Sequence, residues 1–246
     1  VIISAGGKEI GVEGQKIEAA ILAEAQRSGL RIIGPNCVGI MVARSRLNAS
    51  FADQMPLAGK MAFISQSGAI CTAILDLSIK ENIGFSYFVS LGDMVDVDFG
   101  DMIDYLGGEP EVSSIVMYVE SLTHFRKFMS AARAVSRVKP IIALKAGRTR
   151  AGALAAASHT GSMAGEEKLW SGALSQAGAI PAQGLDEIID ALTAIRYLKK
   201  PGRNITLIGG GGAIGVGVRY GNGTLYMKDG TTARVYWRGP SIGIDF

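Results

Sequence analysis

The sequence predicts an α/β protein built on a parallel sheet, and three observations carry that reading. Short apolar runs, helical apolar stripes and turns marked by glycine or proline alternate along most of the chain. Runs such as Ile115-Val116-Met117-Tyr118-Val119 are nearly continuous in apolar residues, as strands covered on both faces are. The chain has 246 residues, 48% hydrophobic and 19% charged, enough for a sizeable core and one or two domains. It shows no repeat with a period of about 20 to 50 residues and no low-complexity block.

Residues 1–4 read as a buried strand, followed by a Gly6-Gly7 turn and an amphipathic helix over 13–28 with Ile17, Ala20, Ile21 and Ala25 on one stripe. Residues 31–33 form the next expected strand. It ends in Gly34-Pro35-Asn36-Cys37-Val38-Gly39, whose glycines and proline set a sharp bend at the carboxyl end of a strand, where open α/β sheets bind ligands. The polar stretch 44–59, with Pro56, reads as a connector. Strands are then expected at 60–65, 85–90, 114–120, 141–145 and 179–182, alternating with helices at 68–80, 97–106, 123–137, 166–176 and 186–198. The last helix aligns Ile188, Leu192 and Ile195. Lys199-Lys200-Pro201-Gly202 reads as a second linker, and 204–208 opens a further strand. From about residue 216 the helical pattern disappears, and 225–237 reads as a hairpin around Asp229-Gly230.

Several classes are disfavoured. With 25 Lys and Arg against 22 Asp and Glu the net charge is +3, and the basic residues are scattered, so nucleic acid is not indicated. Cys37 and Cys71 have no close second ligand pair, so neither a zinc site nor a disulfide framework is supported, and a reduced, cytoplasmic setting is expected. No run of eighteen apolar residues points to a membrane, and residues 1–4 lack the charged start of a signal peptide. The missing initiator methionine suggests a truncated chain.

The chemistry-bearing stretch is Ala155-Ala156-Ala157-Ser158-His159-Thr160-Gly161-Ser162, a histidine among small residues and hydroxyls. A surface or satisfied buried imidazole is one reading. The other is a nucleophile near neutral pH, with Ser158, Thr160 and Gly161 supplying donors to an anion placed on it. Ser65-Gln66-Ser67-Gly68 sits where a strand turns into a helix, so its amides suit a phosphate; a plain N-cap at Ser67 explains one serine but not the whole pattern. Glu120 closes a strand and reads either as the carboxylate that orients His159 or as a helix-start carboxylate. His124 receives no role. Lys145, Arg148 and Arg150 draw in phosphate or are solvated charges. Asp93, Asp96, Asp98 and Asp101 miss the spacing of a calcium loop, and no metal site is assigned; acidic residues starting a helix explain them more simply. Gly210-Gly211-Gly212-Ala213-Ile214-Gly215 matches a dinucleotide fingerprint only formally, because no helix follows, so a dinucleotide oxidoreductase ranks last.

Five motifs in series, the Gly34 to Gly39 loop, Ser65-Gln66-Ser67-Gly68, Tyr118-Val119-Glu120, Leu144-Lys145-Ala146-Gly147-Arg148 and Ser158-His159-Thr160-Gly161, resemble the NDP-forming acyl-CoA synthetases. This family includes ADP-forming acetate-CoA ligase, is related to the succinyl-CoA synthetase alpha subunit, and is matched over roughly residues 1 to 200. The resemblance implies the end of a Rossmann-like CoA-binding domain at 1–53, a flavodoxin-like phosphohistidine domain at 54–200, and at 201–246 the start of a further α/β domain or a divergent or truncated tail. It implies an acid-thiol ligase using a carboxylate, CoA and ATP with Mg, in which His159 carries the phosphoryl group and Glu120 steadies it. Ser65, Gln66, Ser67, Gly68, Ser158, Thr160 and Gly161 would hold phosphate, and Gly34, Pro35 and Asn36 would border the CoA and acyl site. An ATP-grasp domain or subunit outside this chain, and an oligomer, are implied partners. The rival is a non-catalytic acyl-CoA-sensing scaffold of a protein acetyltransferase; His159 together with Glu120 speaks against it.

Overall fold

The structure, a computed structural model, describes residues 1–147, 167–197, 207–209, 214–226 and 232–244. The described chain falls into two compact units, Val1–Ile188 and Ile189–Phe246.

In the first unit a seven-stranded sheet is built from β1 (Gly39–Val42), β2 (Leu47–Ser50), β3 (Leu57–Ser65), β4 (Gly84–Ser90), β5 (Ser114–Val119), β6 (Ile141–Lys145) and β7 (Ile180–Ala182). Its order is β2-β1-β4-β3-β5-β6-β7. The five strands from β4 to β7 run parallel, whereas β1 joins β4 and β2 antiparallel. The helices are α1 (Val12–Ser28), α2 (Gly68–Lys80), α3 (Phe99–Gly108), α4 (Phe125–Val135) and α5 (Glu167–Gln176); α6 (Leu185–Tyr197) starts in this unit and runs past its limit at Ile188.

Most expected elements between residues 57 and 197 are present within a few residues of their predicted limits, because each strand is an apolar run bounded by turn formers. On one face, Ala62, Ile64, Val89, Ile115 and Met117 pack with Ile103 and Leu106 of α3 and Phe128 and Ala132 of α4, all buried. Phe63, Phe85 and Phe88 are buried as well and stack with one another at ring-centroid distances of 5.0 to 6.0 Å. Each such fully buried side chain contributes about 1.5 to 3 kcal/mol. Asp98 caps α3 by accepting from the Asp101 amide, and the Asp101 carboxylate accepts from the Asp98 amide.

Several local expectations are corrected. Residues 1–4 and 31–33 form no assigned strand; they are joined by the Ile2 amide to the Ile33 carbonyl at 2.9 Å and by the Asn36 amide to Ser4 at 3.0 Å. The stretch 44–59 is not only a connector: β2 and the start of β3 lie in it, and the β1-β2 hairpin extends the parallel sheet with an antiparallel edge. On α1 only Gly14 and Ala25 are buried, while Ile17 and Ala20 face solvent.

The second unit contains β8 (Leu207–Gly209), β9 (Ile214–Tyr226) and β10 (Thr232–Ile244) in an antiparallel sheet ordered β10-β9-β8. Tyr226 pairs with Thr232 and Ile214 with Ile244, so the hairpin expected around Asp229-Gly230 is longer than 225–237. The stretch after Gly210-Gly211-Gly212-Ala213 continues as β9, a strand where a dinucleotide fold needs a helix.

Candidate active site

The site lies where strand order reverses. The chain runs from β3 out to β4 on one side and returns to β5 on the other, so β3 and β5 are neighbours whose following loops leave for different helices. Such a switch point opens a crevice at the carboxyl ends of the strands. In register, Ser65 pairs with Ser90 and with Tyr118, and Val119 pairs with Lys145. These pairings set the carboxyl ends of four strands on one edge.

At the end of β3, the buried Ser65 hydroxyl accepts from the Ser67 amide at 3.0 Å and donates to the Ser67 carbonyl at 2.9 Å. Ser65 therefore shapes the turn. Ser67 caps α2, its hydroxyl accepting from Ile70 at 3.4 Å. Among the described residues no partner meets the Gly68 and Ala69 amides, the first of α2, and they stand at the positive end of that helix. Gly68 also keeps the approach close: a Cβ there would lie 3.0 Å from Val38 Cγ2.

Gln66 faces across the crevice rather than out of it. Its Oε1 accepts from the amides of Glu120 and Ser121, both at 2.8 Å, and its Nε2 donates to Ser121 Oγ at 3.1 Å. Its own amide reaches the Tyr118 carbonyl at 3.3 Å. Glu120 is half-buried at the end of β5, on the same edge as Ser67. Burial, and after it the charge of Glu120, push the Tyr118 phenol up. Burial holds Lys145 below the usual lysine value against the opposing pull of Glu120. The Lys145 ammonium donates to the Ala146 carbonyl at 2.7 Å and stands 5.3 Å from the Trp170 ring centroid. A small pocket beside it is lined by Lys145, Gly147, Trp170, Pro181 and Gln183, among others.

The loop Gly34-Pro35-Asn36 reaches the same region. The loop after β4 binds it through the Asp93 amide to the Pro35 carbonyl at 2.9 Å and the Val95 amide to the Gly34 carbonyl at 3.2 Å. A Cβ at Gly92, φ +58°, would collide with the Pro35 carbonyl, so only glycine permits this approach. The Val38 amide adds a bond to Ser90 Oγ at 3.0 Å.

Of the acidic residues 93 to 101, Asp98 and Asp101 serve the start of α3, as expected. Asp96 instead accepts from the Arg31 guanidinium and the Ile32 amide, and Asp93 lies 3.6 Å from the Lys8 ammonium. His124, given no role from sequence, donates from Nδ1 to the Asp98 carboxylate at 2.8 Å, and Lys127 joins the same carboxylate. No sequence pattern signals this contact across 26 positions, nor the pair of hydrogen bonds to Gln66 across 54 and 55. Ser158, His159, Thr160 and Gly161, with Arg148 and Arg150, lie outside the described residues.

A family model described as a succinyl-CoA ligase like flavodoxin domain matches residues 58–195, and one described as envelope integrity protein A matches residues 166–246. The chain is 43% identical over 216 residues to the acetate–CoA ligase (ADP-forming) II subunit alpha of Pyrococcus furiosus, covering 88% of this chain and 47% of that one. It is 36% identical over 205 residues to the 4-hydroxybutyrate–CoA ligase (ADP-forming) of Nitrosopumilus maritimus, covering 82% of this chain and 29% of that one. Among solved structures it resembles the dinucleotide-forming acetyl-coenzyme A synthetase 1 of Ca. Korarchaeum cryptofilum, solved with phosphate and ADP, with TM-score 0.76 and 39% identity over 81% of this chain and 43% of that one. The chain thus spans about half the length of the first of these relatives, or less. With a flavodoxin-like sheet matched over more than half its length and relatives that agree in kind, the chain belongs to the family of the succinyl-CoA ligase like flavodoxin domain.

Proposed function

We propose that this chain is the alpha-type part of an NDP-forming acyl-CoA synthetase, an acid-thiol ligase that makes acyl-CoA, such as acetyl-CoA, from a carboxylate, CoA and ATP. The observation that carries the reading is the convergence of three separate motifs at the carboxyl edge of the parallel strands β4, β3 and β5: the Gly68 turn, Glu120 and the Gly34-Pro35-Asn36 loop. The names of the relatives support the same chemistry.

In this reading the His159 imidazole attacks the γ-phosphorus of ATP and ADP leaves. The phosphoryl group then passes to the carboxylate substrate, and the CoA thiolate attacks the acyl phosphate and expels phosphate. Glu120 accepts a hydrogen bond from one ring N–H, fixing the tautomer and steadying the charge of the phosphorylated ring. The Gly68 and Ala69 amides at the start of α2, with Ser67, Ser158, Thr160 and Gly161, hold the phosphate oxygens. Ser65 shapes that turn, and Gly34, Pro35 and Asn36 border the CoA and acyl site. Residues 1–53 act as the end of a CoA-binding domain; Val12, Ile17 and Leu30, 67%, 49% and 64% exposed, suit packing against further protein. An ATP-grasp domain or subunit supplies the nucleotide and Mg, the assembly is oligomeric, and the setting is cytoplasmic. No helix among the described residues is long and apolar enough to cross a membrane.

The test incubates the complete enzyme with γ-labelled ATP. An acid-labile, base-stable label should map to His159 and vanish in His159→Ala, and Glu120→Gln should slow labelling by roughly 10² to 10⁴, the range for a lost acid-base or orienting group. Undiminished labelling and acyl-CoA synthesis in His159→Ala would eliminate the mechanism.

A further inference from the structure

We propose that Gln66 is a positioning residue whose carboxamide ties the Glu120 loop to the phosphate-holding turn across the β3/β5 crevice. The inference rests on the reading above, in which Glu120 orients His159.

The parallel ladder between β3 and β5 ends at the pair Ser65 and Tyr118, and the Gln66 amide to the Tyr118 carbonyl, at 3.3 Å, closes it. Beyond it the two chains part, one entering α2 and the other leading to α4. Glu120 therefore sits two residues past the last pair with β3 and one past the last pair with β6, Val119 with Lys145. The side chain of Gln66 replaces the missing ladder. Its oxygen has two lone pairs, and both are taken by the amides of Glu120 and Ser121 at 2.8 Å. Its NH2 group is engaged by Ser121 Oγ at 3.1 Å, which fixes which way the amide plane points.

This arrangement commits most of the Gln66 carboxamide to the crevice: its oxygen is taken by two amides and one of its two N–H donors by Ser121 Oγ. What the contact supplies is rigidity. An orienting carboxylate must be held to within about 0.5 Å of its productive place, and rigid neighbours do this where the strand no longer does. Because the anchor comes from the residue directly before Ser67, the carboxylate and the cradle shift together or not at all.

The first measurement is amide hydrogen exchange at Glu120 and Ser121 in the 246-residue chain. Gln66→Leu should speed exchange at both by about tenfold, the equivalent of about 1.4 kcal/mol of lost protection. Gln66→Glu, whose carboxylate still accepts both amides, should keep them protected. The second measurement is phosphorylation of His159 in the complete enzyme. Gln66→Leu should slow labelling and lower kcat for acyl-CoA synthesis by roughly 10- to 100-fold, with KM for the carboxylate substrate within about twofold. Unchanged exchange in Gln66→Leu overturns the latch. Faster exchange with unchanged phosphorylation overturns its positioning role. A wild-type enzyme that carries no label at His159 overturns the proposed function itself, a result separable from both others because the exchange measurement does not depend on it.

Discussion

The parallel core and the N-terminal segment of the same compact unit are held by different forces. Across β3 to β6 nearly every inward side chain is apolar and fully buried, Phe63, Ile64, Ile115 and Val116 among them. Residues 1–38 instead leave Val1, Ile3, Ile10, Val12, Ile17 and Leu30 exposed. They are attached largely by polar contacts: Asp96 to Arg31 and Ile32, Asp93 to Lys8, and main-chain bonds from the loop after β4 to Gly34 and Pro35. Apolar burial depends little on pH or salt, whereas charge pairs at a partly wet surface depend on both. The Gly34 to Asn36 loop thus belongs to the segment that solution conditions can loosen, and Glu120 and Ser67 to the part they cannot.

The strongest way to break this contrast is to damage the core alone. Phe128→Ala should remove about 3 to 5 kcal/mol from unfolding in urea, the usual cost of a cavity left by a buried ring, with the loss equal at low and high salt. A loss below about 1 kcal/mol would show that the core is looser than its burial implies.

A smaller effect sharpens the polar side. Burial, opposed by Lys8, pushes the Asp93 carboxyl up to about 6 from 3.8, and Glu9 and Glu18 converge with it within 4.8 Å. A raised carboxyl value means the folded state holds the proton more tightly than the unfolded one. The contribution of Asp93 to stability is then greatest below about pH 4, falls as the pH rises towards 6, and stays lower above it. Asp93→Asn, neutral throughout, should be about 1 kcal/mol more stable than the parent at pH 7 and equal to it below pH 4; the figure is reduced for the lost Lys8 contact and residual solvent. Urea midpoints at the two pH values measure this, and a variant less stable at pH 7 would mean that the Lys8 pair outweighs the burial.

The smallest expected effect concerns Arg31, whose side chain is 60% exposed though it reaches Asp96 and Asp101. Arg31→Ala should cost roughly 0.2 to 1 kcal/mol, fading in about 1 M salt, and should speed amide exchange around Ile32 more than in β5. Equal acceleration in β5 would show that the two regions open as one.

Much of this was legible beforehand, for reasons that name themselves. The runs forming β3, β5 and β6 are apolar because strands covered on both faces must be, and Ser67 before Gly68 marks a helix start. Those signals are local, and local periodicity and capping chemistry determined the helices, the parallel strands and the loops at their carboxyl ends. Residues 1–4 and 31–33 misled because apolar runs look like strands whether or not a ladder forms beside them. The antiparallel edge of β1 and β2 was hidden because its residues, Leu47-Asn48-Ala49-Ser50 among them, are only half apolar. Which strand neighbours which, the two hydrogen bonds from the Glu120 and Ser121 amides to Gln66, and the separation of Asp96 and Asp98 into different tasks were decided by tertiary structure alone. The last two join positions 26 to 65 residues apart, and no spacing in a chain encodes a hydrogen bond whose two ends meet only after the sheet has chosen its order.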